Sequence, residues 1–270
     1  MATRSAQMRH GYLIDMDGVL YRGSETLPGV QVLFDELHHR GLPFRLATNN
    51  SMASPQMYVE RLAKMGIRTD VDSILTSAMA TRQYVLDQFG SESRLHVLGM
   101  PALVEQLLAH GDFRIVNPDD ETPDAVVVGL DRDVTYDKLR LAHRGIQAGA
   151  QFIATNGDVT LPTEQGLVPG CGALVAALVA STGRHPTVIG KPEVHLLEAA
   201  VADMGIAPQT CVMVGDRLDT DVAAGHSSGM VTVMVLTGVS SRAEVASAPV
   251  KPDLVFSDLP AVLETLIHEG

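Results

Sequence analysis

Two carboxylates, Asp15 and Asp17, lie one residue apart directly after a short apolar run, Tyr12 to Ile14. The run predicts a buried strand. If the strand ends there, Gly18 turns the chain and leaves both acids at the strand's carboxyl end, where α/β sheets bind ligands. Two acids this close ionise together only if a cation lies between them or if one keeps its proton. A turn in which both acids cap backbone N–H groups is an equally good interpretation of these residues alone.

Polar side chains also follow two other apolar runs. The segment Thr48-Asn49-Asn50-Ser51 follows Phe44 to Ala47, and Lys191 follows Thr187 to Ile189. Hydroxyl and amide side chains are common in turns and N-caps, so an ordinary turn is favoured for the first segment when it is taken alone. For the lysine, a solvated surface charge is likewise the more common role. Phosphate binding by both is the functional alternative.

A fourth strand-like run, Cys211 to Val214, leads into Gly215-Asp216-Arg217-Leu218-Asp219-Thr220-Asp221. The run is apolar throughout, which predicts a buried strand. Three aspartates then fall within six residues at its end. Such a concentration of negative charge is costly unless a cation relieves it. This segment therefore favours a metal site over a simple turn.

The four polar segments make a single site more probable than separate turns, because the carboxyl ends of parallel strands meet at one edge of a sheet. Oxygen ligands, few of them from protein, suit Mg²⁺ shared with a phosphate group. One carboxylate could attack phosphorus while the other moves a proton. Phosphate monoester hydrolysis needs up to ~10²¹-fold acceleration, of which a positioned acid–base group supplies only ~10²–10⁴. Metal and cationic stabilisation must supply most of the remainder.

Composition narrows the class of protein. The chain has 270 residues, 46% of them hydrophobic, and a formal net charge of −12. The acidic balance argues against a nucleic-acid or anionic-membrane partner. Residues Met1 to His10 lack the apolar stretch of a signal peptide, and no apolar run reaches the length of a membrane span. We therefore expect a soluble, cytoplasmic protein with no nucleic-acid or membrane partner. The phosphoryl chemistry of the polar segments predicts a small phosphorylated metabolite as its substrate, and a homodimer is one possible assembly.

Strand-like runs and helical periods alternate through the chain, which indicates an α/β fold. The alternation continues from about Thr81 to Arg184, although the pattern of residues changes there. This stretch has about a hundred residues, which is enough for a small domain. The predicted division is a Rossmann-like, parallel-sheet core at 1–81 and 184–270 with an inserted α/β cap domain at 82–183. A polar loop, Asn156 to Pro162, follows a predicted strand of the cap.

The four motifs, in this order and spacing, resemble those of the haloacid dehalogenase (HAD) superfamily of aspartyl-phosphate phosphatases. The resemblance spans nearly the whole chain and favours the subgroup with a large C2-type cap between the second and third motifs. Within it the chain is most similar to NagD-like and 4-nitrophenylphosphatase-like enzymes. The additional segments that carry this similarity are Thr76-Ser77-Ala78-Met79-Ala80-Thr81, Phe152-Ile153-Ala154-Thr155-Asn156, Cys171-Gly172-Ala173-Leu174 and Thr237-Gly238-Val239-Ser240-Ser241.

The resemblance implies a role for each acid. Asp15 would be the nucleophile and a Mg²⁺ ligand. Asp17 would be the general acid and later the base, with its backbone carbonyl also on the metal. Asp216 would bind Mg²⁺ directly. Asp221 would lie outside the metal's own ligands and orient a water or Lys191. Asp219 is expected to be a solvated residue at the start of a helix.

It also implies the phosphate and substrate contacts. Thr48, Asn49 and Lys191 would hold the phosphate, Asn50 would lie near the substrate, and the loop that begins at Asn156 would select the leaving group. The predicted function is Mg²⁺-dependent hydrolysis of a small phosphate monoester, such as a nucleoside monophosphate, through a phospho-aspartate.

Several alternatives stay open at this point. Phosphoglycolate, glycerol phosphate and pyridoxal phosphate are substrates of related enzymes, and a phosphomutase would need a cap that rebinds a sugar bisphosphate. A dehalogenase would lack the second acid, Asp17. A non-catalytic phospho-acceptor, such as a receiver domain, uses similar residues but is shorter and does not place its acceptor after the first strand. A binding protein that merely keeps the fold would not need the complete set of motifs.

Overall fold

The computed structural model describes residues 10–163 and 166–267. These residues form two compact units: the first comprises 10–48, 55–75 and 191–267, and the second comprises 49–54 and 76–190. Each unit contains a mainly parallel sheet with helices, so the predicted α/β fold class is confirmed. The division into a core at 1–81 and 184–270 and a cap at 82–183 stays a prediction.

The strands are short, as is usual for parallel sheets. They are β1 Gly11–Ile14, β2 Tyr21–Arg22, β3 Glu25–Thr26, β4 Phe44–Thr48, β5 Ile74–Thr76, β6 Ser93–Leu98, β7 Phe113–Ile115, β8 Ala125–Val128, β9 Gln151–Ala154, β10 Thr160–Thr163, β11 Gly166–Pro169, β12 Thr187–Val188, β13 Cys211–Gly215, β14 Val231–Val235 and β15 Leu254–Phe256.

The helices lie mostly between the strands. They are α1 Val30–His39, α2 Pro55–Lys64, α3 Ser77–Phe89, α4 Pro101–Leu108, α5 Tyr136–Gln147, α6 Cys171–Thr182, α7 His195–Met204, α8 Ala223–Ser227, α9 Arg242–Ser247 and α10 Leu259–Val262. Tighter turns of 3₁₀ helix cover Val71–Ser73 and Pro208–Thr210, and wider π-helical turns cover Leu218–Val222 and Leu263–Ile267.

The sheet of the first unit has the strand order β15-β14-β13-β1-β4-β5. Strand β1 lies inside it and is buried along its whole length. It pairs in parallel with β13 and with β4 in a register that places Tyr12 opposite Val212 and Phe44. Because these strands run in the same direction, their carboxyl ends meet at one edge. The segments that follow β1, β4 and β13 therefore begin together.

Helix α1 shows how the sequence builds the layer beside this sheet. Its buried residues recur at helical spacing and are Val30, Leu33, Phe34 and Leu37. Proline is common at the first position of a helix, so Pro28 predicts a helix start there. The helix instead begins at Val30, because Gly29 has a left-handed backbone (φ 86°) that no helix interior adopts. The Phe34 ring stacks on Phe44 of β4 with 5.0 Å between centroids.

The second unit has a parallel sheet of order β12-β9-β8-β6-β7. Its central strand β8 is fully buried, as a strand covered on both faces should be. Helices α5 and α6 pack against it, and their Ala142, Ile146 and Leu178 meet Val126 and Val128 in one apolar cluster.

Two antiparallel ribbons were not predicted. The segment Tyr21 to Leu27 lacks clear periodicity, which predicts a loop, and Asn156 to Pro162 is predicted as a polar loop. In the structure β2 pairs with β3, and β10 pairs with β11. Both ribbons are short and largely exposed, so the apolar alternation that signals a half-buried strand is missing from them. Strand β5 and helix α3 were likewise not predicted. Among the described residues, no helix is both long enough and apolar enough to cross a membrane.

The packing of α1 gives a stability prediction with an internal control. Leu33 is 1% exposed and its neighbour Val32 is 56% exposed. Replacing Leu33 with Ala should lower the free energy of unfolding by ~2–5 kcal/mol, because the cavity is only partly filled by relaxation. Val32→Ala should change it by less than ~0.5 kcal/mol. Urea unfolding followed by circular dichroism measures both, and equal effects would show that α1 does not bury this face.

Candidate active site

Three carboxylates converge at the carboxyl edge of the first unit's sheet. Asp15, Asp216 and Asp221 each present a carboxylate oxygen within 4.8 Å of the others. Lys191 lies among them and is 2% exposed. Its Nζ donates hydrogen bonds to Asp15 Oδ1 at 2.5 Å, to Asp221 Oδ1 at 2.7 Å and to the carbonyl oxygen of Ala47 at 3.1 Å. These hydrogen bonds connect the ammonium group to the ends of β1 and β4 and to the turn Leu218–Val222.

The strands place these side chains. Asp15 directly follows β1, and its N–H donates to the Val214 carbonyl at 2.9 Å, which extends the ladder with β13 by one bond. Asp216 directly follows β13. Asp221 lies in the wide helical turn Leu218–Val222, from which its Oδ2 accepts the backbone N–H groups of Asp216 and Arg217 at 3.2 and 3.1 Å. One Asp221 oxygen thus orders the loop while the other holds Lys191.

Glycines make room for Asp216. A Cβ at Gly238 would lie 1.9 Å from Asp216 Oδ2, and one at Gly18 would lie 2.5 Å from the same atom. Gly18 also has φ 81°, a left-handed conformation that favours glycine. The Asp216 carboxylate is further held by the backbone N–H of Val239 at 2.6 Å. Backbone therefore surrounds this acid closely on two sides.

The electrostatics of this cluster favour a bound cation. Burial raises the pKa of Asp15 to about 8, with Lys191 acting in the opposite direction. Burial and then the neighbouring Asp221 raise the pKa of Asp216 to about 6. Burial by itself lowers the pKa of Lys191, but Asp15 and Asp221 together outweigh it and raise that pKa. One lysine against three acids leaves negative charge uncompensated, and the donor set consists of the hard oxygen ligands that Mg²⁺ prefers.

Asp17 has different surroundings from Asp15. It is exposed, and it forms an isolated bridge with Tyr21 across the turn that follows β1. Desolvation by the protein around its carboxyl raises the pKa of Asp17, while the charge of Arg61 acts in the opposite direction. A carboxyl group with a raised pKa keeps its proton more readily, which suits a proton donor.

The remaining predicted residues divide between the units. Thr48 is the last residue of β4 in the first unit. Asn49, Asn50 and Asn156 belong to the second unit, where Asn156 Nδ2 donates to the Asn49 carbonyl at 2.9 Å. Asn50 Oδ1 accepts the backbone N–H of Met52 at 2.8 Å, which closes a local turn.

Two further contacts at Asn49 were not predicted from the sequence. Ser77 Oγ donates to the Asn49 carbonyl at 2.6 Å, and Asn49 Nδ2 donates to Asp158 Oδ2 at 3.3 Å. Asp158 is 109 residues away in sequence, within a segment distinguished only by its polarity. No spacing pattern pointed to it. The second unit therefore builds a polar cluster of Asn49, Ser77, Asn156 and Asp158 around the segment that follows β4.

Comparison with protein-family models gives two matches. Residues 12–112 match a haloacid dehalogenase-like hydrolase family, and residues 188–262 match a HAD-hydrolase-like family. The first range contains the segments after β1 and β4. The second contains β13 and the acids that follow it.

Individual relatives extend the match over the whole chain. An acid sugar phosphatase of Staphylococcus aureus is 40% identical over 255 residues, which cover 94% of this chain and 97% of the relative. The structure is similar to a p-nitrophenyl phosphatase from Archaeoglobus fulgidus, with a TM-score of 0.89, 32% identity and coverage of 96% and 100% of the two chains. It is also similar to NagD from E. coli K-12, with a TM-score of 0.87, 34% identity and coverage of 94% and 98%.

The parallel sheet, the acid cluster at its carboxyl edge and these relatives agree on the class of protein. The chain belongs to the haloacid dehalogenase-like hydrolase family. Within that family it is a NagD-like phosphatase, as the motifs in the sequence predicted.

The lysine contacts give a second stability prediction. Lys191→Met removes the buried cation that pairs with Asp15 and Asp221 in the cluster of three acids. It should lower the free energy of unfolding by ~3–5 kcal/mol at neutral pH without divalent cations, because breaking a buried ion pair leaves uncompensated charge. Lys64→Met, on an exposed position of α2, is the matched control and should change it by less than ~1 kcal/mol. Urea unfolding measures both; similar small effects would mean that Lys191 does not neutralise the cluster.

Proposed function

We propose that this phosphatase hydrolyses small phosphate monoesters, with Mg²⁺, through a phosphorylated Asp15. The observation that supports the proposal best is the position of Lys191, which holds an oxygen of Asp15 at 2.5 Å and is itself fixed by Asp221 at 2.7 Å. A nucleophilic carboxylate needs a neighbouring positive charge that also attracts the phosphate. Lys191 supplies that charge at the attacking oxygen.

The metal would be held by the carboxylates of Asp15 and Asp216 and by the backbone carbonyl of Asp17. When bound, Mg²⁺ would supply positive charge that stabilises the negative charge developing on the phosphoryl group. The close backbone around Asp216 keeps its carboxylate in one orientation. Asp221 would act through Lys191, since its two oxygens are already occupied by Lys191 and by backbone N–H groups.

The first chemical step is attack of an Asp15 oxygen on phosphorus, which forms an acyl phosphate and breaks the bond between phosphorus and the leaving-group oxygen. Asp17 gives its proton to that oxygen, so an alcohol departs. In the second step Asp17, now a carboxylate, takes a proton from a water whose oxygen attacks the phosphorus. The Asp15–phosphorus bond breaks, and inorganic phosphate leaves with Asp15 restored.

Substrate contacts follow from the remaining residues. We propose that Thr48 and Asn49 bind the phosphate together with Lys191, and that Asn50 lies near the substrate. Residues 82–183 would serve as the cap, with Asn156 in the loop that selects the leaving group. The hydrogen bond between Asn156 and the Asn49 carbonyl supports a shared role for these two residues.

The relatives favour a broad class of substrate. The Staphylococcus aureus relative is named an acid sugar phosphatase and the Archaeoglobus fulgidus protein a p-nitrophenyl phosphatase. We infer that the substrate is a phosphorylated sugar, nucleoside or similar small alcohol. Phosphate release from a panel of sugar phosphates, nucleoside monophosphates, phosphoglycolate, glycerol phosphate and pyridoxal phosphate tests this inference.

Metal dependence is the first test of the mechanism. Activity should require Mg²⁺ and should fall when Ca²⁺ replaces it, because calcium takes a larger and looser ligand shell. Gly238→Ala should weaken Mg²⁺ binding, since its Cβ would displace the Asp216 carboxylate. Titration calorimetry with Mg²⁺ measures this, and Val239→Ala is the control because Val239 binds Asp216 through its backbone N–H. Full turnover in excess chelator would contradict the metal assignment.

The roles of the two acids can be separated by the leaving group. Asp15→Asn removes the attacking oxygen, so no phosphoenzyme should form. Asp17→Asn should slow hydrolysis of a sugar phosphate by roughly 10²–10⁴-fold, because an alkoxide needs the proton that Asp17 donates. With 4-nitrophenyl phosphate, Asp17→Asn should give a burst of nitrophenol near one per site and then turn over slowly, because nitrophenolate leaves without a proton.

Mass spectrometry of the trapped Asp17→Asn enzyme should place the phosphate on Asp15. A nitrophenol burst from the Asp15→Asn enzyme would contradict the assignment of the nucleophile. Equal losses with both leaving groups, and no burst from Asp17→Asn, would contradict the assignment of the acid.

A further inference from the structure

A short hairpin formed by β2 and β3 follows the turn that carries Asp17, and helix α2 holds it in place. Thr26 Oγ1 at the end of the hairpin donates to the carbonyl of Met65, just beyond α2, at 2.7 Å. The hairpin has only two residues in each strand, and all but Tyr21 are exposed. Two such strands are not stable alone in water. Its position must therefore come from contacts with its neighbours.

Arg61 of α2 makes two of these contacts, and the proposed mechanism does not use it. Its Nη2 donates to the carbonyl of Gly23, at the tip of the hairpin, at 2.9 Å. Its guanidinium carbon lies 4.5 Å from the centroid of the Tyr21 ring, a distance typical of a cation–π contact. The Arg61 side chain thus contacts both the tip and the first residue of the hairpin.

Tyr21 connects this contact to Asp17. Its carbonyl accepts the N–H of Gly18 at 2.8 Å, and Tyr21 forms a bridge with Asp17. On the opposite side the Gly18 carbonyl accepts the Thr237 hydroxyl at 2.7 Å. The Tyr21 side chain is 2% exposed. Gly18, the residue that directly follows Asp17, is therefore held between Thr237 and Tyr21.

We propose that Arg61 is a positioning residue for Asp17. It fixes the β2–β3 hairpin through its contacts with Gly23 and Tyr21. The hydrogen bond between Gly18 and the Tyr21 carbonyl then restrains the turn that carries Asp17. The role rests on the proposed function, in which Asp17 transfers the proton. Proton transfer is sensitive to small displacements, so an exposed hairpin beside the acid needs such a clamp.

The chemistry of arginine fits this role better than that of lysine. The guanidinium is planar, so it stacks on the Tyr21 ring while its edge donates to a carbonyl. A lysine keeps the positive charge but cannot make both contacts in one plane. Arg61→Lys should therefore show most of the defect of Arg61→Met, and full restoration by lysine would overturn the clamp.

The kinetic experiment uses the full chain and two leaving groups. Arg61→Met should lower kcat for a sugar phosphate by about 10- to 100-fold, the scale expected when a catalytic group is slightly misplaced, with KM little changed. Nitrophenol release from 4-nitrophenyl phosphate in a single turnover should change less than about twofold, because that step needs no proton. Lys64→Met, one turn away on the same helix, is the control and should match the wild type for both substrates.

A double variant separates this inference from the proposed function. In an Asp17→Asn background, Arg61→Met should lower kcat for the sugar phosphate by less than about a further twofold, because the effects of residues that act through one another are not additive. If Asp17→Asn slows the reaction of both substrates equally, the proposed function fails. If Asp17→Asn shows the expected difference but Arg61→Met slows both substrates equally, Arg61 is structural and the inference fails.

Hydrogen exchange tests the clamp without catalysis. Peptides that cover residues 18–26 should exchange faster in Arg61→Met than in the wild type or in Lys64→Met. Peptides from β13 should exchange equally in all three, which shows that the variant is folded. Unchanged exchange at 18–26 in the folded Arg61→Met protein would overturn the proposal.

Discussion

The first unit depends on one buried ammonium group. Lys191 lies between the carboxylates of Asp15 and Asp221 and is almost fully shielded from water. A charge buried in this way is tolerated only when it is paired and hydrogen-bonded. In the proposed mechanism Lys191 lies beside the carboxylate that attacks phosphorus, where it would also attract a phosphate. Under that proposal one arrangement would serve both stability and phosphoryl transfer.

The parallel sheet brings parts of that arrangement together. Strands β1 and β13 are neighbours, so Asp15 and Asp216, each one position beyond its strand, lie at the same edge. The expectation that the strand before Lys191 belongs to the same sheet is wrong, because β12 pairs with β9 in the second unit's sheet. The backbone completes the site: N–H groups of Asp216 and Arg217 fix Asp221, and Val239 fixes Asp216. Glycines at 18 and 238 let the backbone approach this closely.

The two acids after β1 have different surroundings. Asp15 accepts a hydrogen bond from the buried ammonium group of Lys191. The Asp17 side chain is exposed, but the turn that carries it is otherwise buried and forms a bridge with Tyr21 of the small hairpin. Under the proposal, the contacts of Arg61 with the hairpin would limit the movement of Asp17 while leaving its side chain exposed.

Local sequence patterns predicted the α/β class, the strands that carry the motifs and the family, because apolar runs and short motifs can be recognised without any knowledge of tertiary contacts. Strands β8 and β15 begin and end where the apolar runs do. The contact of Asn49 with Asp158, across 109 residues, became visible only in the folded chain. The pairing of the two exposed ribbons and the contact between Arg61 and Tyr21 likewise became visible only in the structure. Such contacts depend on strand register and loop closure between distant segments, which no local pattern encodes.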